Sequence, residues 1–230
     1  MGRSPKYYML VASLPYLPPL FAANKPPMSR ERLESRLNML SDEDRHELRV
    51  MEDLMHWNRS QLDITDHEVV ERAEKVIPTL RDERLRQVAT WRMELRTVVA
   101  ALRWRAAGRS PVGTKERWGY GRWVWHIEQF WSRPDFGLAN AVPYVLQFQQ
   151  LIEQRDALGL ERAILNTVSK ELARISDMHH FDFESVALYV LRWDIIARWT
   201  GHDKERAQER FDRLVDEGLG EYSDLFAVIG

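Results

Sequence analysis

The stretch RDERLRQVATWRMELRTVVAALRWRAAG, residues 81 to 108, decides the fold. Its pattern predicts one long helix from about Arg81 to Ala107. Gly108 is its stop signal, because glycine enters the left-handed conformation that closes a helix without a steric penalty.

Working back toward the N-terminus, each segment again reads as helix. SRERLESRLNML opens on Ser29 as an N-cap, with Leu33, Leu37 and Leu40 at helical spacing. SDEDRHELRVMEDLMHW starts at Ser41 and carries three acids in its first turn, where the positive end of the helix dipole favours them. TDHEVVERAEKVI has Thr65 and Glu68 in capping-box register and stops before Pro78. Near the N-terminus, MGRSPKYYMLVASLPYLPPLFAA has the order of a signal peptide, but Pro15, Pro18 and Pro19 interrupt its apolar stretch. It reads instead as a short helix or strand ending at Pro15 and packed on the body.

Toward the C-terminus, residues 108–121 hold four of the eleven glycines and form the long loop. A short helix is expected from about Arg122 to Trp131, another from about Leu138 to Leu158 ended by Gly159, and a third from Glu161 to about Ser176. FESVALYVLRWDIIARWT, starting at Phe183, is strongly apolar and is expected to stop at Gly201; Asp203 then caps an amphipathic KERAQERFDRLVDE. No Asn-Gly or Asp-Gly hairpin signal occurs. The expectation is an all-α bundle of about eight to nine helices. Residues 1–230 are read as one domain, with the Gly-rich loop as the place for any subdivision. VVAALRWRAAG and LRWDIIARWTG, offset by 93 residues, suggest two similar helical halves.

The composition, 44% hydrophobic and 30% charged, is that of a folded soluble chain. Cysteine is absent, which excludes disulfides and thiolate metal sites and points to the cytoplasm. The net charge of −2 is unevenly spread: residues 81–122 hold eleven Lys/Arg against four acids, so a basic middle lies between acidic ends.

Motifs for chemistry are poor. GRSPVGTKER, residues 108–117, spaces Gly108 and Gly113 like a phosphate loop, but Thr114 and Lys115 are transposed and Pro111 lacks an amide hydrogen. GYGRWV has Val124 where a dinucleotide fingerprint needs its third glycine. DMHHFDFE, residues 177–184, reads as a helix–helix joint: adjacent His179 and His180 diverge on a helix, and Asp182 is placed to cap the next one. Glu43 and His46 form a single Glu-x-x-His, without the second copy that a di-iron bundle needs. No catalytic residue, cofactor or metal is assigned. The arginines and tryptophans of the middle (Trp104, Trp123, Trp125) suit a protein interface, since both types are enriched at hot spots, and suit nucleic acid less well.

LRTVVAALRWRAAGRSP, with Leu95, Leu102, Arg103, Arg105, Ala106, Gly108 and Arg109, resembles a segment of the C-type adaptor subunit of the A/V-type rotary ATPases. In the vacuolar enzyme the same adaptor carries the designation d. LYVLRWDIIARWTG resembles a later helix of that family through Leu188, Asp194, Ile195 and Gly201. KYYMLVASLPYL resembles the start of small proteins associated with such ATPases. The chain is shorter than the usual C-type adaptor, so at most two of that family's three helical parts fit. The resemblance implies a non-catalytic helical adaptor, cytoplasmic and peripheral to the membrane, whose partners are the central stalk subunits and the membrane rotor ring. Arg105 and Arg198, each three residues before a helix-ending glycine, are the candidate partner contacts. The alternatives are a nucleic-acid-binding or regulatory module using the basic middle, and a hydrolase with His179 or His180 in its site.

Overall fold

Apolar side chains at helical spacing must be buried against one another, and here helix packs on helix throughout. The computed structural model describes residues 6–55, 65–111, 117–176 and 181–201, and among these residues it contains no strand. The protein is all-α. The described helices are α1 (Tyr8–Ser13), α2 (Arg30–Leu37), α3 (Asp42–Met55), α4 (Asp66–Val76), α5 (Glu83–Ala106), α6 (Trp123–Gln129), α7 (Val145–Glu153) and α8 (Ala157–Ser176). A ninth, α9, spans 183–201.

The starts follow the expected caps. Ser29 accepts the Arg32 backbone N–H, and Ser41 accepts that of Asp44 at 3.4 Å. Thr65 and Glu68 form both bonds of the capping box. Asp182 accepts the Ser185 N–H at 2.9 Å and so begins α9. The first four residues of DMHHFDFE lie outside the described residues, as does the segment from Asp203 onward.

Helix α5 is the axis of the molecule. Leu85, Val88, Leu95, Val98 and Leu102 are buried along it, and α3, α4, α6 and α7 pack around it. One hydrophobic cluster joins residues before and after the Gly-rich loop, including Leu10, Leu33, Met51, Leu95, Phe148, Leu172 and Leu191. The N-terminal segment belongs to this body: Tyr7 and Leu10 are buried, and the Tyr7 N–H donates to the Phe181 carbonyl at 3.0 Å.

Two expectations are corrected. The helix expected from Leu138 to Leu158 is two units, turns up to Tyr144 followed by α7, and the break falls at Arg155 in the left-handed region (φ 56°). Asp156 then accepts the Gly159 N–H at 2.8 Å and starts α8, so Gly159 sits in a first turn instead of ending a helix. Gly201 is likewise not the expected left-handed cap. It remains helical, without the positive φ that Gly108 shows at 70°. The two segments therefore differ at their glycines, left-handed at Gly108 and right-handed helical at Gly201.

Candidate functional site

Four chain segments meet around a cavity of about 590 Å³ lined by Lys6, Tyr7, Asp44, Glu47, Arg81, Asp82, Asp182 and Phe183. They are the lead into α1, the first turns of α3, the link from α4 to α5, and the start of α9. Helical spacing places Asp44 and Glu47 on the same inward face of α3 as Leu48 and Met51, so both carboxylates are buried. Their charges are met there. Arg81 donates to Asp44, to Glu47 and to Glu43, each at 2.8 Å. Glu47 also accepts the backbone N–H groups of Arg81 at 2.8 Å and Asp82 at 3.0 Å, fixing the chain where it turns into α5. Lys6 donates to Asp44 at 2.9 Å, and the Tyr7 hydroxyl donates to the same carboxylate oxygen.

Burial alone would raise the pKa of Asp44, but hydrogen bonds from Tyr7, Lys6, Ser41 and Arg81 outweigh it and hold the group at about 2. A general acid or base works best near the operating pH. Asp44 is therefore an ionised acceptor at neutral pH. Asp82 and Asp182 are occupied as caps, Asp82 accepting from Arg84 and Leu85 at 2.9 and 3.2 Å. The lining holds two cations and four carboxylates: Asp44 and Glu47 accept bonds that hold the segments together, and Asp82 and Asp182 cap their own helices. Its architecture is that of a clasp.

Arg105 and Arg198 are not brought together at this cavity. Arg105 points at the turn after α6, where it donates to the Arg133 carbonyl at 2.6 Å and to the Pro134 carbonyl. Its guanidinium lies 4.4 Å from the centre of the Phe136 ring, a residue held at φ 53°. Burial pushes its pKa down. Arg198 donates to Glu161 of α8 at 2.8 and 3.2 Å. Both arginines thus have partners inside the chain.

The basic middle is also largely consumed within the fold. Besides Arg81, Arg96 pairs with Asp66 at 3.0 Å, Arg122 with Glu94 at 3.3 Å, Arg117 with Glu74, and Arg84 lies 3.9 Å from Glu184. Arg92 is buried; its burial, with the Arg96 and Arg198 cations nearby, lowers its pKa to about 9. The sequence asymmetry is mostly the trace of ion pairs between distant segments. Of the tryptophans, Trp118 is buried, Trp104 and Trp123 are half-buried, and Trp125 is exposed. Glu43 and His46 are both exposed on α3.

Sequence reasoning misses the clasp when it reads the acids of α3 only by their distance from the helix start. The available signal is that Asp44, Glu47 and Glu52 fall in the same inward register as Leu48 and Met51. Acids in an apolar stripe announce buried partners.

Residues 79–219 match the family described as "Protein of unknown function (DUF2764)", and the chain belongs to that family. The matched span begins beside the clasp, at the lead into α5, and runs through α9. No curated protein and no solved structure matches the chain.

Proposed function

We propose that this chain is a non-catalytic helical adaptor of a V/A-type rotary ATPase, of the C-type kind, joining the central stalk to the membrane rotor ring. The observation that carries the reading is the relation of α5 to α9. The two segments that resemble the C-type adaptor, at 95–111 and 188–201, lie on these helices and the turn that follows α5. Both helices start at the clasp, with Arg84 3.9 Å from Glu184, and Arg92 and Arg198 further along are close enough to interact electrostatically. The two helices thus begin at one clasp, and side chains further along them lie within electrostatic range of each other. Carboxylates fixed as structural acceptors suit a scaffold. No helix among the described residues is long and apolar enough to cross a membrane, which fits a peripheral subunit.

The nucleic-acid reading draws less support, because most arginines that suggested it are paired within the chain. The adaptor reading is tested by tagging the protein in its native host, purifying it in mild detergent and identifying what comes with it. Central-stalk and rotor-ring subunits in stoichiometric amounts are expected. A preparation holding none of them, from cells in which the rotary ATPase is assembled, overturns the assignment.

A further inference from the structure

Asp66, at the start of α4, is bonded by one arginine and linked through Trp104 to a second, with a third along the same face of α5. Arg96 bonds one oxygen of Asp66 at 3.0 Å, and the Trp104 indole N–H donates to the other at 3.3 Å. Arg109 lies 4.2 Å from the centre of the Trp104 ring. Arg103 is seven residues from Arg96, two helical turns along the same face of α5. Its pKa is lowered, first by the packed surroundings that displace water from it and then by the Arg96 cation, while Asp66 opposes the shift. Arg103 and Arg109 still present exposed surface, and neither has an ion-pair partner among the described residues. Among the described residues this excess of positive charge stands out, since Arg81, Arg84, Arg86, Arg96, Arg117 and Arg122 each face a carboxylate.

The end of the α5 dipole accounts for some positive charge here, but Arg105, also in the last turn, already supplies it. The chemistry already present shows what fits: Asp66 is a carboxylate held between a guanidinium and an indole N–H. We propose that Arg103, Arg109 and the exposed edge of Trp104 form a docking face for a carboxylate-bearing segment of a partner protein. Guanidinium groups bind carboxylates through paired, charge-assisted hydrogen bonds, and Arg with Trp is the composition of an interface hot spot. A polyanion fits less well. Nucleic-acid binders spread many cations along the backbone, whereas this face has two available and the whole chain carries −2. The proposal goes beyond the adaptor reading and holds for any partner with that chemistry.

The test uses the purified full chain and three fluorescent probes. They are an alanine-rich helical peptide with glutamates along one face, the same peptide with glutamines, and single-stranded oligothymidylate. The glutamate peptide is expected to bind and the glutamine peptide to fail. The variant Arg103→Gln/Arg109→Gln should lose about tenfold or more in affinity, about 1.4 kcal/mol. Its melting temperature should fall only slightly, since neither arginine is ion-paired among the described residues and the Arg109 contact with Trp104 is at an exposed site. Arg103→Lys/Arg109→Lys should recover part of the affinity, because lysine restores charge without the planar fork. Absence of glutamate-peptide binding, or equal binding by the glutamine variant, overturns the proposal. So does oligothymidylate binding more tightly than the peptide and being lost in the same variant, which would mark a nucleic-acid surface instead. A positive peptide result beside an empty native purification would retain this face and discard the rotary-ATPase assignment.

Discussion

Asp82 and Asp182 cap two neighbouring helices that open onto one cavity. Asp82 accepts the N–H groups of Arg84 and Leu85, and Asp182 accepts the N–H and hydroxyl of Ser185. Each carboxylate satisfies donors that the first turn of a helix leaves without partners and sits where the dipole favours negative charge. Asp82→Ala is expected to cost about 1–2 kcal/mol, within the range for N-cap loss. Asp182→Ala should fall at the lower end, because Asp82 is the more buried and its own N–H is bonded to Glu47. Urea denaturation of the two variants checks the order; Asp182→Ala proving the more damaging would contradict it.

The clasp sets an acid limit on stability. Asp44 is held at about 2 against an ordinary 3.8, so the folded protein binds its proton less readily than the unfolded chain. The stabilisation is complete above pH 3.8 and is lost as pH falls from there through about 2. Asp44→Asn should lower stability at neutral pH by about 2 kcal/mol, since Tyr7, Lys6 and Arg81 lose their anionic acceptor. It should also flatten the fall in stability across that acid window. Equilibrium unfolding of both proteins at several pH values measures this. Parallel pH curves would show that Asp44 is not the group responsible.

The two glycines expected to end helices should respond in opposite directions. A Cβ added at Gly108 meets nothing within 4 Å, so Gly108→Ala isolates the strain of placing alanine at φ 70°. A loss of about 1 kcal/mol is expected. Gly201 is helical and equally open, so Gly201→Ala should be neutral or stabilise by up to about 1 kcal/mol. Thermal melts of the pair suffice, and a destabilised Gly201→Ala would mean the helix does end there.

What is legible in the sequence follows the range of the forces involved. Caps are local, a side chain and an amide two or three residues away, and Ser29, Ser41, Thr65 and Asp182 can all be read directly. The Asp156 cap is just as local, but Gly159 three residues later mimics a terminator and hides it. The clasp is illegible because its partners are far apart in the chain: Lys6 with Asp44, Glu47 with Arg81. The same holds for the loop that resumes at Arg117. There Thr97 of α5 bonds both the N–H and the carbonyl of Tyr120, at 2.8 and 3.0 Å. A Cβ on Gly121 would stand 2.5 Å from Glu94. GYG is therefore a close-approach sequence whose reason lies on another helix.

Arg105 and Arg198, the expected partner contacts, should differ in what their loss does to the fold. Arg105 makes two hydrogen bonds to carbonyls of the 133–134 turn and stacks on Phe136, so its loss should loosen that turn directly. Arg105→Ala is expected to cost about 2 kcal/mol from the bonds and the ring contact together. Arg105→Lys should lie between wild type and Ala, since an ammonium cannot span both carbonyls as the fork does. Arg198 is paired with Glu161 in partly exposed surroundings, with a third of its side chain accessible, and Arg198→Ala should cost about 1 kcal/mol or less. Reversal to Glu at 105 would aim a carboxylate at two carbonyl oxygens and should destabilise more than Ala does. Lost co-purification after reversal at 105 would then report a displaced turn and not a severed contact. Urea denaturation separates the cases: an Arg105→Glu protein as stable as wild type, yet stripped of its partners, would make Arg105 a contact residue after all.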